Sequence, residues 1–330
     1  MKIAVLGAGA WGTALALSYA ERHTVSLWVR DAKQSEAIAK TRSNSRYLPD
    51  FTLPESIHCN SDLTQSIAGA ELLLAVVPSS GLRALLTALT QAGNHAPVIW
   101  ACKGLEPGTA KLLHQVAAET LPASVARGVL SGPSFALEVA RGQPCALTLA
   151  AQDAEFAQQA AASLHERHLR VYSSTDVVGV ELGGAVKNVM AIATGICDGM
   201  GFGSNARAAL ITRGLAEITR LGLLLGGKLE TFMGLAGMGD LILTCTGDLS
   251  RNRSVGLQLA QGIPLPQILQ QLGHAAEGVH TCAEVLRMAE GLKVDMPITR
   301  AVQRVMFEDL PPRQALEELL ARGPKSEYGA

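Results

Sequence analysis

The sequence predicts an α/β protein: a doubly wound parallel sheet followed by an all-helical domain. Three observations predict it. A glycine-rich turn joins an apolar strand to a helix at the start of the chain, strand-like and helix-like segments alternate as far as Ser174, and strand signal almost vanishes from Thr175 onward. The expected domains are therefore 1–174, built on the sheet, and 175–330, built of helices.

Lys2 to Leu6 is a short branched apolar run suited to a buried strand. Gly7-Ala8-Gly9-Ala10-Trp11-Gly12 follows, then a helical pattern over Thr13 to Arg22 and a second apolar run from Thr24 to Val29. Strand, G-x-G-x-x-G, helix and strand in this order form the context of a dinucleotide-binding fingerprint in a Rossmann-type unit. Gly7 allows the tight turn, Gly9 leaves room for a pyrophosphate, and Gly12 lets the helix pack on the strand. The backbone N–H groups of Ala10, Trp11 and Gly12 then face the phosphates, favoured by the helix dipole. Arg30 ends the second strand, where a carboxylate on the ribose 2′-hydroxyl marks NAD and an arginine can accept a 2′-phosphate. The expectation is NADP(H) preferred and NAD(H) accepted, because Asp31 adjoins Arg30.

Further along, Lys33 to Arg42 reads as an exposed helix and Asn44 to Pro54 as a polar loop. Glu71–Val77, Pro97–Ala101, Gly128–Leu130, Cys145–Ala150 and Leu169–Ser174 read as strands. Lys103 lies just past one strand and the Ser131-Gly132-Pro133-Ser134 turn just past another, both on the edge where such sheets bind ligands. Beyond Ser174, Val177–Cys197 and Ala206–Leu225 are long helical patterns, with others at Ser254–Gln261, Leu265–Leu272, Cys282–Gly291 and Ile298–Phe307. The tail from Gly323 is small, polar and expected to be loose.

Composition narrows the function classes. The chain has 330 residues, 48% hydrophobic and 17% charged, enough for a large core, and a formal net charge of −1. No basic stripe points to nucleic acid. No uninterrupted apolar run approaches the ~18 residues of a membrane span, and the N-terminus shows no secretory signal, so a cytoplasmic protein without membrane insertion is expected. The six cysteines form no C-x-x-C pair and read as free thiols. His165 and His168 lack the neighbours of a metal site and read as surface residues; no metal is expected.

Three polar clusters fit a core poorly. Lys187 interrupts a small, apolar helix containing Gly183, Gly184 and Asn188, and a lysine there must be paired or face a cleft. Asp240 follows an apolar, glycine-rich run, as a helix N-cap, a site carboxylate or both. Ser250-Arg251-Asn252-Arg253 opens a helix and suits a phosphate; a solvated basic turn accounts for these residues equally well.

Over nearly its whole length the chain resembles the bacterial-type NAD(P)-dependent glycerol-3-phosphate dehydrogenases. The similarity is strongest in Gly7–Gly12, Ser131–Gly142, Val180–Asn205, Ala209–Gly222 and Gly234–Arg253. The resemblance implies a helical domain of the 6-phosphogluconate-dehydrogenase-like kind. It also implies reduction of dihydroxyacetone phosphate to sn-glycerol 3-phosphate, a phospholipid precursor, in an enzyme family where homodimers are common. It makes Lys187 the proton acceptor and donor, with Lys103 and Asp240 as active-site partners. Gly132, Ser134, Ser250, Arg251 and Asn252 match substrate-contacting positions, together with the two lysines and Asp240. Trp11, Arg30, Ala136 and Glu277 match cofactor-contacting ones, with Lys103 and Arg251 near both ligands. Ala10 replaces a usual serine and Cys145 a common threonine. Burial and the second ammonium of Lys103 are expected to lower the pKa of Lys187. The competing readings are a dehydrogenase of the same architecture acting on a keto acid or sugar acid, and a non-catalytic nucleotide sensor.

Overall fold

Strands with apolar side chains on both faces need cover on both sides, and the computed structural model, which describes residues 1–273 and 276–321, provides it. The expected loose tail from Gly323 lies outside the described residues. The strands are β1 (Lys2–Leu6), β2 (Thr24–Trp28), β3 (Ser43–Asn44), β4 (Leu48–Thr52), β5 (Ile57–Asn60), β6 (Leu72–Ala75), β7 (Val98–Trp100), β8 (Arg127–Ser131), β9 (Cys145–Ala150) and β10 (Leu169–Ser174). The helices between them are α1 (Ala10–Tyr19), α2 (Ala32–Thr41), α3 (Leu63–Ile67), α4 (Ser79–Gln91), α5 (Leu113–Thr120), α6 (Ala136–Ala140) and α7 (Ala154–Ser163). The main sheet has the order β10-β9-β8-β7-β6-β1-β2-β5. The chain leaves β1 toward β2 and β5, then returns to its other side at β6. That reversal opens a crevice at the carboxyl ends of β1 and β6.

Ile3, Val5, Leu15, Tyr19 and Leu27 belong to the core on one face of the sheet, and Leu6, Leu73, Leu86, Trp100 and Leu113 to that on the other. Burying each such side chain contributes about 1.5–3 kcal/mol.

Two sequence expectations need correction. The segment expected as a polar loop from Asn44 carries the antiparallel pair β3–β4, followed by β5 on the sheet edge. Its polar, proline-broken sequence hides the strands because little of the hairpin is covered: Asn44 and Leu48 are buried, while Pro49, Asp50 and Thr52 are exposed. The sheet is also not wholly parallel, since β8 and β9 run antiparallel with Leu130 opposite Leu149. The connection between them holds only the five-residue α6, a helix of about 7–8 Å that cannot run back along a six-residue strand.

The helical half comprises α8 (Val177–Gly199), α9 (Gly203–Leu224), α10 (Leu229–Met233), α11 (Asp240–Thr246), α12 (Arg251–Ala260), α13 (Leu265–Leu272), α14 (Glu277–Gly291), α15 (Pro297–Phe307) and α16 (Pro312–Leu320), with a π-helical turn at Leu235–Gly239. Helix α8 is long and apolar enough to span a bilayer by composition, but 94% of its apolar window is buried inside the protein. Its small residues explain how a helix can be surrounded so closely. A Cβ on Gly183 would lie 2.4 Å from Ala236 O, and one on Gly195 2.1 Å from Arg253 O. From α12, a Cβ on Gly256 would lie 2.1 Å from Ile192 O. Backbone therefore meets backbone where α8 crosses the π turn and α12.

Candidate active site

The glycine-rich turn lies at the carboxyl end of β1. Gly7 has φ +125°, and a Cβ there would meet Val76 O at 2.4 Å. A Cβ on Gly12 would meet Gly7 O at 1.9 Å, so any side chain would lift α1 off the turn. Gly9 is different: nothing lies within 4 Å of its Cβ position, and α1 has no side-chain cap. That open space before free helix N–H groups fits a dinucleotide phosphate. The buried Nε1 of Trp11 has no hydrogen-bond partner among the described residues. Ala10, Trp11 and Ala136 pack round one small apolar cluster formed by Ala14, Leu48 and Val139. Asn44 braces the turn from the hairpin, donating to Ala8 O at 3.0 Å and Thr13 Oγ1 at 2.8 Å.

Arg30 is exposed after β2 and has no ion-pair partner among the described residues. Its neighbour Asp31 is occupied as the N-cap of α2, accepting from Gln34 N at 3.1 Å.

The polar centre lies where α8 and α11 meet the carboxyl ends of β7 and β8. Asp240 is fully buried, and Lys187 is 5% exposed. One Asp240 oxygen accepts from Lys187 Nζ and the other from Lys103 Nζ at 2.9 Å. Lys103 Nζ also donates to Gly132 O at 2.8 Å and Ser134 Oγ at 3.3 Å. The carbonyl of Gly132 can be presented this way because its φ is +139°. Burial lowers the Lys187 pKa from 10.5 to about 7; the Lys103 charge reinforces this and Asp240 opposes it. Asp240 does not cap its helix: it makes no cap bond, and Gly239 occupies the N-cap position of α11.

Two neighbours complete this centre and are absent from the residues singled out as contacting ligands. Asn188 Nδ2 donates to Lys103 O at 3.1 Å, and Thr244 Oγ1 donates to Asp240 O at 2.6 Å and lies 3.5 Å from Asp240 Oδ1. The spacings 184/188 and 240/244, one helical turn each, were the available sequence signal. Asn252 is turned inward: it donates to Asn188 Oδ1 at 2.9 Å and accepts from Gly278 N at 3.0 Å. Ser250 caps α12 by accepting from Arg253 N at 3.2 Å, leaving its hydroxyl proton free to donate.

Arg251, in the first turn of α12, is exposed and without an ion-pair partner among the described residues. Arg253 is committed elsewhere, binding Asp198 at 2.8 Å and Asp248 at 2.9 Å. Glu277 grips the turn after β6, with Oε1 accepting from Ser79 N at 3.2 Å and Oε2 from Ser79 Oγ at 2.6 Å.

All six cysteines are free. Burial raises the Cys145 thiol to about 11. No group of three or more His, Cys, Asp or Glu residues suited to a metal occurs among the described residues.

Residues 2–157 match the family described as the N-terminus of NAD-dependent glycerol-3-phosphate dehydrogenase, and residues 176–317 match its C-terminus. The chain is 61% identical to a glycerol-3-phosphate dehydrogenase [NAD(P)+] of Nitrosospira multiformis, over 99% of both chains. It is 57% identical to the Dechloromonas aromatica protein of that name, again over 99% of each. The crystal structure of glycerol-3-phosphate dehydrogenase from Coxiella burnetii superposes with a TM-score of 0.94 at 44% identity, covering 97% of this chain and 99% of that one.

Proposed function

The chain belongs to the NAD-dependent glycerol-3-phosphate dehydrogenase family, and on that premise we propose how its residues divide the work. The reaction is the reversible reduction of dihydroxyacetone phosphate to sn-glycerol 3-phosphate with a nicotinamide cofactor. The cofactor, when bound, supplies the hydride. Gly7, Gly9, Ala10, Trp11 and Gly12 would hold it at the first turn, with Arg30, Lys103, Ala136, Arg251 and Glu277 along its length.

As the ketone carbon is reduced, its oxygen gains negative charge and needs a proton. Lys187 supplies it, and in the reverse reaction takes it back. Its pKa of about 7 suits exchange in both directions near neutrality. Asp240 keeps the amine in register, and Lys103 both lowers its basicity and polarises the carbonyl. Gly132, Ser134, Ser250 and Asn252 line the substrate, and Arg251 with the N–H groups of α12 clamps its phosphate. A nucleotide sensor would have no use for two lysines drawn onto one buried carboxylate.

The exposed, unpaired Arg30 and the occupied Asp31 support NADP(H) preference, with NAD(H) accepted. We place the domain boundary at 174/175, between β10 and α8, and assign the protein to the cytoplasm as a homodimer supplying phospholipid synthesis. The observation that carries the catalytic reading is the Lys187–Asp240–Lys103 group. Following NADPH absorbance with and without dihydroxyacetone phosphate tests it. Substrate-dependent oxidation that collapses in Lys187→Ala while NADPH still binds supports the assignment, whereas near-normal turnover in that variant refutes it.

A further inference from the structure

Helix α8 presents two different stripes to the site. Gly183 and Lys187, one turn apart, face the π turn and Asp240. Glu181, Gly184 and Asn188, spaced i, i+3 and i+7 on a second stripe, face the sheet half. Glu181 Oε1 accepts from Trp100 Nε1 at 2.8 Å, and its Oε2 lies 2.6 Å from His114 Nδ1. A Cβ on Gly184 would come within 2.6 Å of Ser131 Oγ. Asn188 holds the carbonyl of Lys103. The second stripe thus grips β7 at Trp100 and the chain just beyond it at Lys103.

Glu181 is 4% exposed, Trp100 is 1% exposed, and burial raises the carboxyl pKa of Glu181 while its bond to His114 opposes the rise. Burying a carboxyl is costly unless its oxygens are used, and here both are used across the boundary between the two halves. The side chain lies six residues before Lys187 on one helix, and its indole partner ends β7 three residues before Lys103.

We propose that Glu181 is a positioning residue for the dehydrogenase reaction: by tying Trp100 to α8, it sets the separation between the ammonium groups of Lys103 and Lys187. It touches neither substrate nor cofactor and acts only through the two lysines, so the proposal rests on their assigned roles. Lysine 187 senses that spacing, because the groups acting on its charge are Asp240, which raises its pKa, and Lys103, which lowers it. If β7 drifts from α8, Lys103 drifts with it and Lys187 becomes more basic.

The test compares Glu181→Leu with Glu181→Gln, whose amide can still accept from Trp100 and donate to an unprotonated His114 nitrogen. In Glu181→Leu, assayed well below its unfolding temperature, kcat should fall about tenfold or more while KM for NADPH stays within about twofold, the pattern of a lost transition-state interaction. The pH midpoint of kcat should move upward by about half a unit, as expected when a like charge recedes. Glu181→Gln should keep kcat and the midpoint close to those of the parent.

A Leu variant with parental kcat and midpoint per folded molecule would overturn the proposal and leave Glu181 a stability residue. A Gln variant as impaired as the Leu variant would overturn it too, because the bonds would then not be what matters. Should Glu181→Leu not fold, Trp100→Phe removes the indole donor while keeping an aromatic ring on β7. It should shift kcat and the midpoint in the same directions, and unchanged values would overturn the proposal. Lys187→Ala separates the two claims: normal turnover in that variant would sink the catalytic reading itself, whatever Glu181 does.

Discussion

The lysines and arginines assigned to ligands are housed in opposite ways. Lys187 is buried, and Lys103 is mostly covered; both converge on one fully buried carboxylate. Arg30 and Arg251 are exposed at the first turns of two helices or just before them and have no ion-pair partner among the described residues. The difference follows from the tasks proposed for them. A group that must gain and lose a proton near neutrality needs a low-dielectric setting and fixed neighbours. A group that must recognise a phosphate needs its guanidinium free, because an internal carboxylate would compete with the ligand. Arg253 supplies the contrast on the same helix: it is occupied by Asp198 and Asp248, and its role is structural.

Variants can break this contrast. The largest effect is expected from Lys187→Ala, which should lower kcat about 10²–10⁴-fold, the usual contribution of positioned acid–base catalysis, with NADPH binding measured by fluorescence titration nearly intact. Asp240→Asn should follow closely. It removes the charge that keeps Lys187 protonated and leaves both lysines without their shared carboxylate, and breaking such a buried pair typically costs about 3–5 kcal/mol; a melting curve and kcat measured together would reveal both losses. Arg251→Ala should raise KM for dihydroxyacetone phosphate far more than KM for NADPH. A rise confined to NADPH would assign the arginine to the cofactor alone. Arg30→Asp should reverse the preference between NADPH and NADH, read as the ratio of kcat/KM values.

The pH dependence sharpens the comparison further. With Lys187 as the proposed proton donor, reduction requires its protonated form, so the rate should fall as pH rises through about 7, whereas oxidation of sn-glycerol 3-phosphate requires the neutral amine and should increase there. A common direction for both limbs would remove Lys187 from the proton transfer. The smallest effect is structural. Glu217 accepts from Ile298 N at 2.7 Å and Thr299 N at 3.3 Å, holding the start of α15. Glu217→Ala should destabilise the fold by about 1–3 kcal/mol, the cost of unsatisfied buried donors, without altering KM.

The parts of this design legible in the sequence are those that depend on local chemistry. A glycine fingerprint between strand and helix announces its own geometry, and a lysine among valines and alanines announces an exception. Strand direction was not legible at Cys145–Ala150, because a buried apolar run reads alike either way and only the short connection decides. The edge strand Ile57–Asn60 was hidden by its histidine and asparagine, which an edge tolerates. Asn188 and Thr244 carry ordinary side chains for a helix, and their value arises from what lies opposite them in the fold. The inward turn of Asn252 likewise depends on Asn188 and Gly278, distant in sequence.

The backbone contact between α8 and α12 has a mechanical consequence. With Gly195 and Gly256 set against each other's chain and no side chain between them as a cushion, the two helices are coupled as one stiff body. The arginine that would grip the phosphate and the amine that would deliver the proton ride on that body together. Adding even one methyl group there would work as a wedge, misaligning grip and proton delivery at a single stroke.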